Sequence, residues 1–364
     1  VVTVHDLTTL LHPHTHRLKV RLSVLPFLAN TLGKARRIAA DSKATAADLR
    51  HHYPACAARV EVVYPGVDAE FKPGNPQEIQ ATREEISCPD GYILYSGTLE
   101  PRKNIGTLLS AWETLRKIHT GIPPLVLTGP YGWRSLDLLS RIQGLAPQGL
   151  HYLGRVPRER LVRLMQAASI FVYPSLYEGF GLPPAEAMAC GIPTIASNRS
   201  SLPEVVGEAG LLFEPEDTQE LAAAIHKLLL EDTLATELGN RGWRRAQQFR
   251  WERSAELMEQ LFYRGFNGWV ISLAYMAKAN FSFRIDQVQG GPVTIGEGCP
   301  KCLIIIEDHR PMDTQAVNSG LNDFRIMGKF EFWCMDTDDV QAMGFIPFLP
   351  GSQVRKRADA VDTG

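Results

Sequence analysis

The chain has 364 residues, 45% of them apolar and 21% charged, with a net charge of −2. That length supports two ordinary domains with separate cores. The composition excludes a disordered chain or a membrane-embedded bundle, and the charge gives no reason to expect nucleic acid as a partner.

The chain opens on Val1-Val2-Thr3-Val4, a strand pattern already under way with no initiator Met, so the front of a domain is expected to be missing. A helix is expected around 20–32, a strand at 37–40, a helix at 43–52 and a strand at 60–64. This end is basic: residues 1–60 hold nine Lys or Arg against Asp6, Asp41 and Asp48. A basic amphipathic segment at 18–32 allows either an ordinary helix packed on a sheet or a peripheral contact with an anionic membrane leaflet. Pro73, Gly74, Pro76 and Pro89 mark 73–90 as a linker. Strands are then expected at 92–96, 125–128, 150–153, 170–173, 194–196 and 210–213. Helices at 105–118, 135–143, 158–168 and 184–189 alternate with them, the pattern of a doubly wound parallel sheet. Three closing helices follow at 218–230, 233–249 and 251–263. From 266 the alternation is lost, and the end from Ser352 reads as polar and disordered.

Two segments carry the chemistry. Tyr177-Glu178-Gly179-Phe180-Gly181-Leu182-Pro183-Pro184-Ala185-Glu186 follows a strand and opens a helix with proline in its first turn. Its glycines let backbone N–H groups approach an anion or a sugar, and its two carboxylates can accept hydrogen bonds from hydroxyls. Tyr95-Ser96-Gly97-Thr98-Leu99-Glu100-Pro101-Arg102-Lys103-Asn104 also leaves a strand end. There Arg102 as a fork and Lys103 as a point charge can neutralise a diphosphate without a metal. Taken singly, Glu178 and Glu186 are ordinary loop and first-turn acids; their setting makes them candidates.

These stretches, with Ser197-Asn198-Arg199-Ser200-Ser201-Leu202-Pro203-Glu204-Val205, resemble glycosyltransferase family 4, and within it the bacterial mannosyltransferases, from residue 1 to about 264. The resemblance implies an α/β GT-B fold: two facing Rossmann-like domains with an interdomain cleft, the first truncated at its N-terminus. Residues 1–72 would be the partial acceptor-side domain and 91–264 the nucleotide-sugar domain with its closing helices, leaving 265–364 unassigned. It implies that Arg102 and Lys103 hold the donor diphosphate and that Glu186 binds the nucleotide ribose. Glu178, with Gly97, Gly179, Phe180, Gly181 and Leu182, would contact the rest of the donor, and His5 of the His5-Asp6 pair would position the transferred sugar. Ser42 and Asp68 lie in family-like segments and are read as structural.

The implied reaction is retaining transfer of a hexose, mannose from GDP-mannose, to a saccharide or lipid-linked saccharide in polysaccharide or O-antigen assembly, with no metal and no cofactor beyond the nucleotide-sugar substrate. A reading of a different class is a catalytically incomplete nucleotide-sugar-binding or interaction module. A phosphorylase would need a pyridoxal phosphate lysine, for which no matching motif is visible. Cys299-Pro300-Lys301-Cys302, with His309 and Cys334, offers a weak zinc alternative, lacking a second CxxC. The six cysteines are too sparse and irregular for a disulfide scaffold and suit a reducing compartment. With no signal peptide and no long apolar run in sight, the expected location is cytoplasmic, or peripheral on the inner face of the cell membrane.

Overall fold

A computed structural model describes residues 1–13, 18–132 and 136–265, together with the C-terminal strands named below. The chain divides into two compact units, Val1–Val270 and Ile271–Gly364.

The first unit contains two parallel sheets. Strands β1 (Val2–Val4), β2 (Ile38–Ala40) and β3 (Val60–Val62) pair in the order β1-β2-β3. Between them run α1 (Thr8–Leu11), α2 (Leu18–Lys34) and α3 (Lys43–His52). Leu7, Leu32, Ile38, Leu49 and Val60 close a small core there. Helix α3 starts where it does because Ser42 caps it, its hydroxyl accepting from the Thr45 N–H at 2.9 Å.

Residues 73–90, read as a linker, contain helix α4 (Pro76–Glu85). The prolines that suggested a linker include its start signal: Asn75 accepts from Gln77 N–H at 2.9 Å, and Pro76 occupies the first turn, where its missing N–H costs nothing. Arg83 Nε donates to the Ala167 carbonyl at 2.9 Å, tying α4 to the second sheet's domain.

That sheet comprises β4 (Ile93–Ser96), β5 (Leu125–Thr128), β6 (Leu150–Tyr152), β7 (Ile170–Tyr173), β8 (Thr194–Ser197) and β9 (Leu211–Phe213). All pair parallel, in the order β6-β5-β4-β7-β8-β9. Strands β4, β5, β7 and β8 are buried at every residue, which is why they read as continuous runs and not as alternation. Helices α5 (Ile105–Ile118), α6 (Leu136–Leu145), α7 (Arg158–Ala167), α8 (Leu182–Ala189) and α9 (Leu202–Val206) connect them. The chain moves outward from β4 through β5 to β6, then returns to β7 on the other side of β4. The crevice between the β4 and β7 ends is therefore a topological switch point, where ligands bind in open α/β sheets.

Helices α10 (Thr218–Leu230), α11 (Asp232–Ala246) and α12 (Trp251–Gly265) follow. The last returns to the first sheet: Leu261, with Leu257 and Met258, packs on Ala39 and Val63. The chain thus crosses between domains twice, and the crossings are joined by Val67 N–H donating to the Phe249 carbonyl at 2.9 Å.

In the second unit, antiparallel pairs join β10 (Arg284–Ile285) to β11 (Val293–Thr294), β12 (Cys302–Glu307) to β14 (Lys329–Cys334), and β13 (Asp323–Arg325) to β15 (Gln353–Arg355). Cys302 and Cys334 are register partners. Cys299 and His309, the rest of the zinc alternative, lie outside the described residues, as does most of the tail read as disordered.

Candidate active site

Two loops leave the switch point. After β4 the chain makes a short turn at Pro101–Lys103 and passes through Asn104 in the left-handed region before α5. After β7 it runs through 174–181 into α8. Between them sits a charge cluster. Lys103 Nζ lies 2.6 Å from Glu178 Oε1 and donates to the Tyr173 hydroxyl at 2.9 Å. Tyr173 donates to the same carboxylate at 3.1 Å. Arg102 Nη1 is 3.2 Å from Glu178 Oε2, and its Nη2 is 2.9 Å from Glu100 Oε1. Glu178 and Lys103 are only 8% and 9% exposed. Burial alone would raise the Glu178 carboxyl, but Lys103 and Arg102 together hold it down to about 2.

The Glu178 loop is held from behind by the segment after β8. Glu178 N–H donates to Ser200 Oγ at 2.8 Å, and Ser201 Oγ donates to the Glu178 and Phe180 carbonyls at 3.0 and 2.7 Å. Ser200 itself has φ 49°, an uncommon conformation for a residue with a Cβ. Sequence reasoning did not single out Ser200, Ser201 or Tyr173 as site residues. For the two serines the available signal was the polar run Asn198 to Ser201 directly after a fully buried strand.

The two glycines of the loop do different work. Gly181 has φ 103° and precedes the first residue of α8, a conformation that favours glycine. Gly179 lies against the first domain, where a Cβ would stand 1.9 Å from the His5 carbonyl oxygen. Thr45 Oγ1 donates to the Gly179 carbonyl at 3.1 Å, and Tyr177 Oη to Asp48 Oδ2 at 2.7 Å. Lys43 N–H donates to the Glu204 carboxylate at 2.8 Å. The domains therefore touch through the loop expected to hold the donor.

The remaining expected residues spread around this centre. The His5 side chain is 68% exposed and its Nδ1 lies 2.8 Å from Asp41 Oδ2, a hydrogen bond that raises its pKa above the ordinary histidine value. Asp6, its neighbour, accepts from Thr8 N–H at 2.8 Å at the start of α1. Gly97 directly follows β4, its N–H donating to the Thr128 carbonyl at 3.0 Å. Leu182 is exposed at the head of α8, whereas the Phe180 ring turns away into a cluster with Tyr64 and Phe249, centroids 5.8 and 5.1 Å apart. A ligand would meet Phe180 through its backbone.

Glu186 is not part of the charge cluster. It lies on α8 near Arg158, Asp68 and Glu70; burial raises its carboxyl to about 7, Arg158 opposing and the two acids adding to the shift. Arg158 pairs with both Asp68 and Glu70, and Trp251 donates its indole N–H to Asp68. Asp68 thereby joins the two interdomain crossings. Among the described residues no group of three or more His, Cys, Asp or Glu could hold a metal ion, and no helix is long and apolar enough to cross a membrane.

Chemically, Lys103 and Arg102 meet two carboxylates, Glu178 and Glu100, in a cluster that is formally balanced, so an anion entering the crevice must displace a carboxylate from the cations. A diphosphate could take the place of Glu178 on Lys103 and Arg102, while the backbone at 179–181 and the start of α8 offer N–H donors.

Comparison with known proteins finds glycosyltransferase families in both domains. A family described as "Glycosyl transferases group 1" matches residues 77–245, and one described as "Glycosyltransferase Family 4" matches residues 1–71. O-antigen chain mannosyltransferase B of Escherichia coli is 37% identical over 255 residues, covering 69% of this chain and 67% of its own. The serotype-specific mannosyltransferase WbdA of Escherichia coli is 32% identical over 272 residues, 72% of this chain but 33% of that protein. The structure of HepE from Anabaena, in complex with UDP and glucose, shares the fold with a TM-score of 0.62 at 22% identity, over 72% of this chain and 71% of that one.

Proposed function

Since the chain belongs to the group 1 glycosyltransferases, its first domain matching glycosyltransferase family 4, we propose that it transfers mannose from GDP-mannose, with retention, to a saccharide or lipid-linked saccharide during O-antigen-type polysaccharide assembly. The observation that carries this reading is the cluster of Lys103, Arg102 and Glu178 at the switch point between β4 and β7. The names of the Escherichia coli relatives favour mannose and O-antigen; the UDP and glucose held by HepE favour a nucleotide-sugar donor.

On this reading the donor diphosphate competes with Glu178 for Lys103 and Arg102, and Glu178 then turns to the transferred sugar. The acceptor oxygen bonds to the anomeric carbon as the bond from that carbon to the diphosphate breaks. The acceptor proton passes to the leaving phosphate, so no dedicated carboxylate base is required. The protein contributes position and charge stabilisation, without a metal. His5 lies beside the reacting sugar, Glu186 takes the ribose hydroxyls, and the basic first domain can rest on an anionic membrane surface.

The test is release of nucleoside diphosphate from a panel of nucleotide sugars, with and without lipid-linked acceptors and with and without chelator. GDP release from GDP-mannose that survives chelation is expected. Donor binding without release would favour a binding module, and a strict need for a divalent ion would overturn the metal-free account. Unchanged donor affinity in Glu186→Ala would remove the ribose role from Glu186.

A further inference from the structure

Strands β1 and β2 run parallel with Val4 beside Ala40, so the next residue of each, His5 and Asp41, leaves its strand next to the other. Both are pinned through the backbone. The His5 carbonyl packs on Gly179, where a Cβ would stand 1.9 Å away, and Ser42, directly after Asp41, caps α3. The two side chains meet at 2.8 Å, His5 Nδ1 to Asp41 Oδ2. We infer that Asp41 is a positioning residue: it keeps the proton of neutral His5 on Nδ1 and turns Nε2 to the transferred sugar as a hydrogen-bond acceptor. The inference rests on the glycosyltransferase reading above, in which His5 lies beside that sugar, and adds what fixes the state of the imidazole.

A carboxylate accepts and does not donate, so the ring nitrogen facing it carries hydrogen, and the lone pair of the neutral ring is left on Nε2. The exposures divide the roles. The Asp41 side chain is only 15% exposed and the His5 side chain 68%, so the carboxylate is the fixed partner and the imidazole keeps an open edge for a ligand. A sugar hydroxyl can donate to that edge. Without Asp41 both tautomers would be populated, and the one with hydrogen on Nε2 would present a donor where the acceptor is needed. The charges around the ring come from three carboxylates. Asp41, through its hydrogen bond first and its charge as well, raises the His5 pKa, burial opposes it, and Asp6 adds to the rise by charge. Asp6 is engaged elsewhere, accepting from Thr8 N–H. Glu178, in the loop packed on the His5 backbone, is held down to about 2 and stays charged throughout the histidine range. As pH falls, Nε2 takes up a proton and stops accepting, so turnover should fall with the His5 titration, at a pH that Asp41 sets.

The test reads the ring directly. Long-range proton–nitrogen NMR of the full chain reports the tautomer and titration of His5, whose signals are identified by their loss in His5→Gln. Hydrolysis of GDP-mannose and GDP affinity are followed in parallel between about pH 5 and 8. Wild-type protein is expected to show the Nδ1–H tautomer and a pKa above the ordinary 6.5, with the acid limb of turnover at the same pH. Asp41→Asn should populate both tautomers, lower the His5 pKa and carry the acid limb to lower pH. Its turnover at neutral pH should fall about tenfold, the size of one charge-assisted hydrogen bond, with GDP affinity unchanged. A merely structural Asp41 would change melting temperature without moving the acid limb. Asp6→Asn, the second variant, removes a nearby charge but no bond to the ring, and should lower the pKa while keeping the Nδ1–H tautomer. An Nε2–H tautomer in wild type, or a His5 titration and acid limb indifferent to Asp41→Asn, overturns the inference. A wild-type protein that turns over no nucleotide sugar defeats the glycosyltransferase reading and the inference with it, whereas failure in the tautomer or the variant alone defeats only the inference.

Discussion

Glu178 is shared by the buried Lys103 and the half-buried Arg102, and removing its charge is expected to cost more than removing a surface ion pair. Glu178→Gln would leave the buried Lys103 without its carboxylate and Arg102 with Glu100 alone, a loss of about 3 kcal/mol by comparison with other broken buried pairs. Urea unfolding measures it, and added GDP should recover part of the loss if a diphosphate takes the vacated place. The pH dependence has a definite sign. The folded pKa of Glu178, about 2, lies below its ordinary 4.5, so the stability it supplies is fully present above pH 4.5 and is lost as pH falls toward 2. Glu186 runs the other way. With a folded pKa of about 7 against 4.5, its contribution is present below pH 4.5 and is lost as pH rises through 7. Unfolding free energies at pH 5, 6 and 8 should therefore fall with pH in this window, and Glu186→Gln should flatten the trend. An unchanged slope would mean that the carboxyl titrates normally.

At the scale of elements, local signals were legible where local physics decides. The bounds of β5, β7, α3, α5 and α10 follow from apolar runs, helical spacing and caps. Helix α4 was missed because its Pro76 counts as a breaker in composition and as a start signal only beside Asn75. The site was legible in part. Lys103 and Glu178 each stand in a recognisable loop, but the 2.6 Å contact between them depends on β4 and β7 being neighbours, which no local pattern states. The placing of Gly179 against His5 is likewise a tertiary fact. It makes Gly179→Ala an informative change: the new Cβ would meet backbone rather than a flexible side chain, so the two domains must separate locally. Turnover is expected to drop about 100-fold, the scale of a 1 Å misplacement, with far-UV circular dichroism unchanged. Wild-type turnover in this variant would show that the contact is not needed for reaction.

For the whole molecule, closure rests on a few polar bonds between α3 and the second domain, of which Tyr177 to Asp48 and Lys43 to Glu204 are two. Tyr177→Phe removes one at an expected cost of about 1 kcal/mol and should shift small-angle scattering toward a more extended average. An unchanged scattering curve would place the hold elsewhere, for instance in the Tyr64, Phe180 and Phe249 cluster.

The return of α12 to the first sheet also sets an order of events during synthesis. A ribosome delivers β2 and β3 early, yet Ala39 and Val63 gain their cover from Leu261 only about 200 residues later, tens of seconds at ordinary elongation rates. Until then the growing chain carries an open apolar face that a chaperone could hold. A nascent chain stalled before α12 should therefore be cut by protease in residues 1–64 while the sheet of β4 to β9 resists.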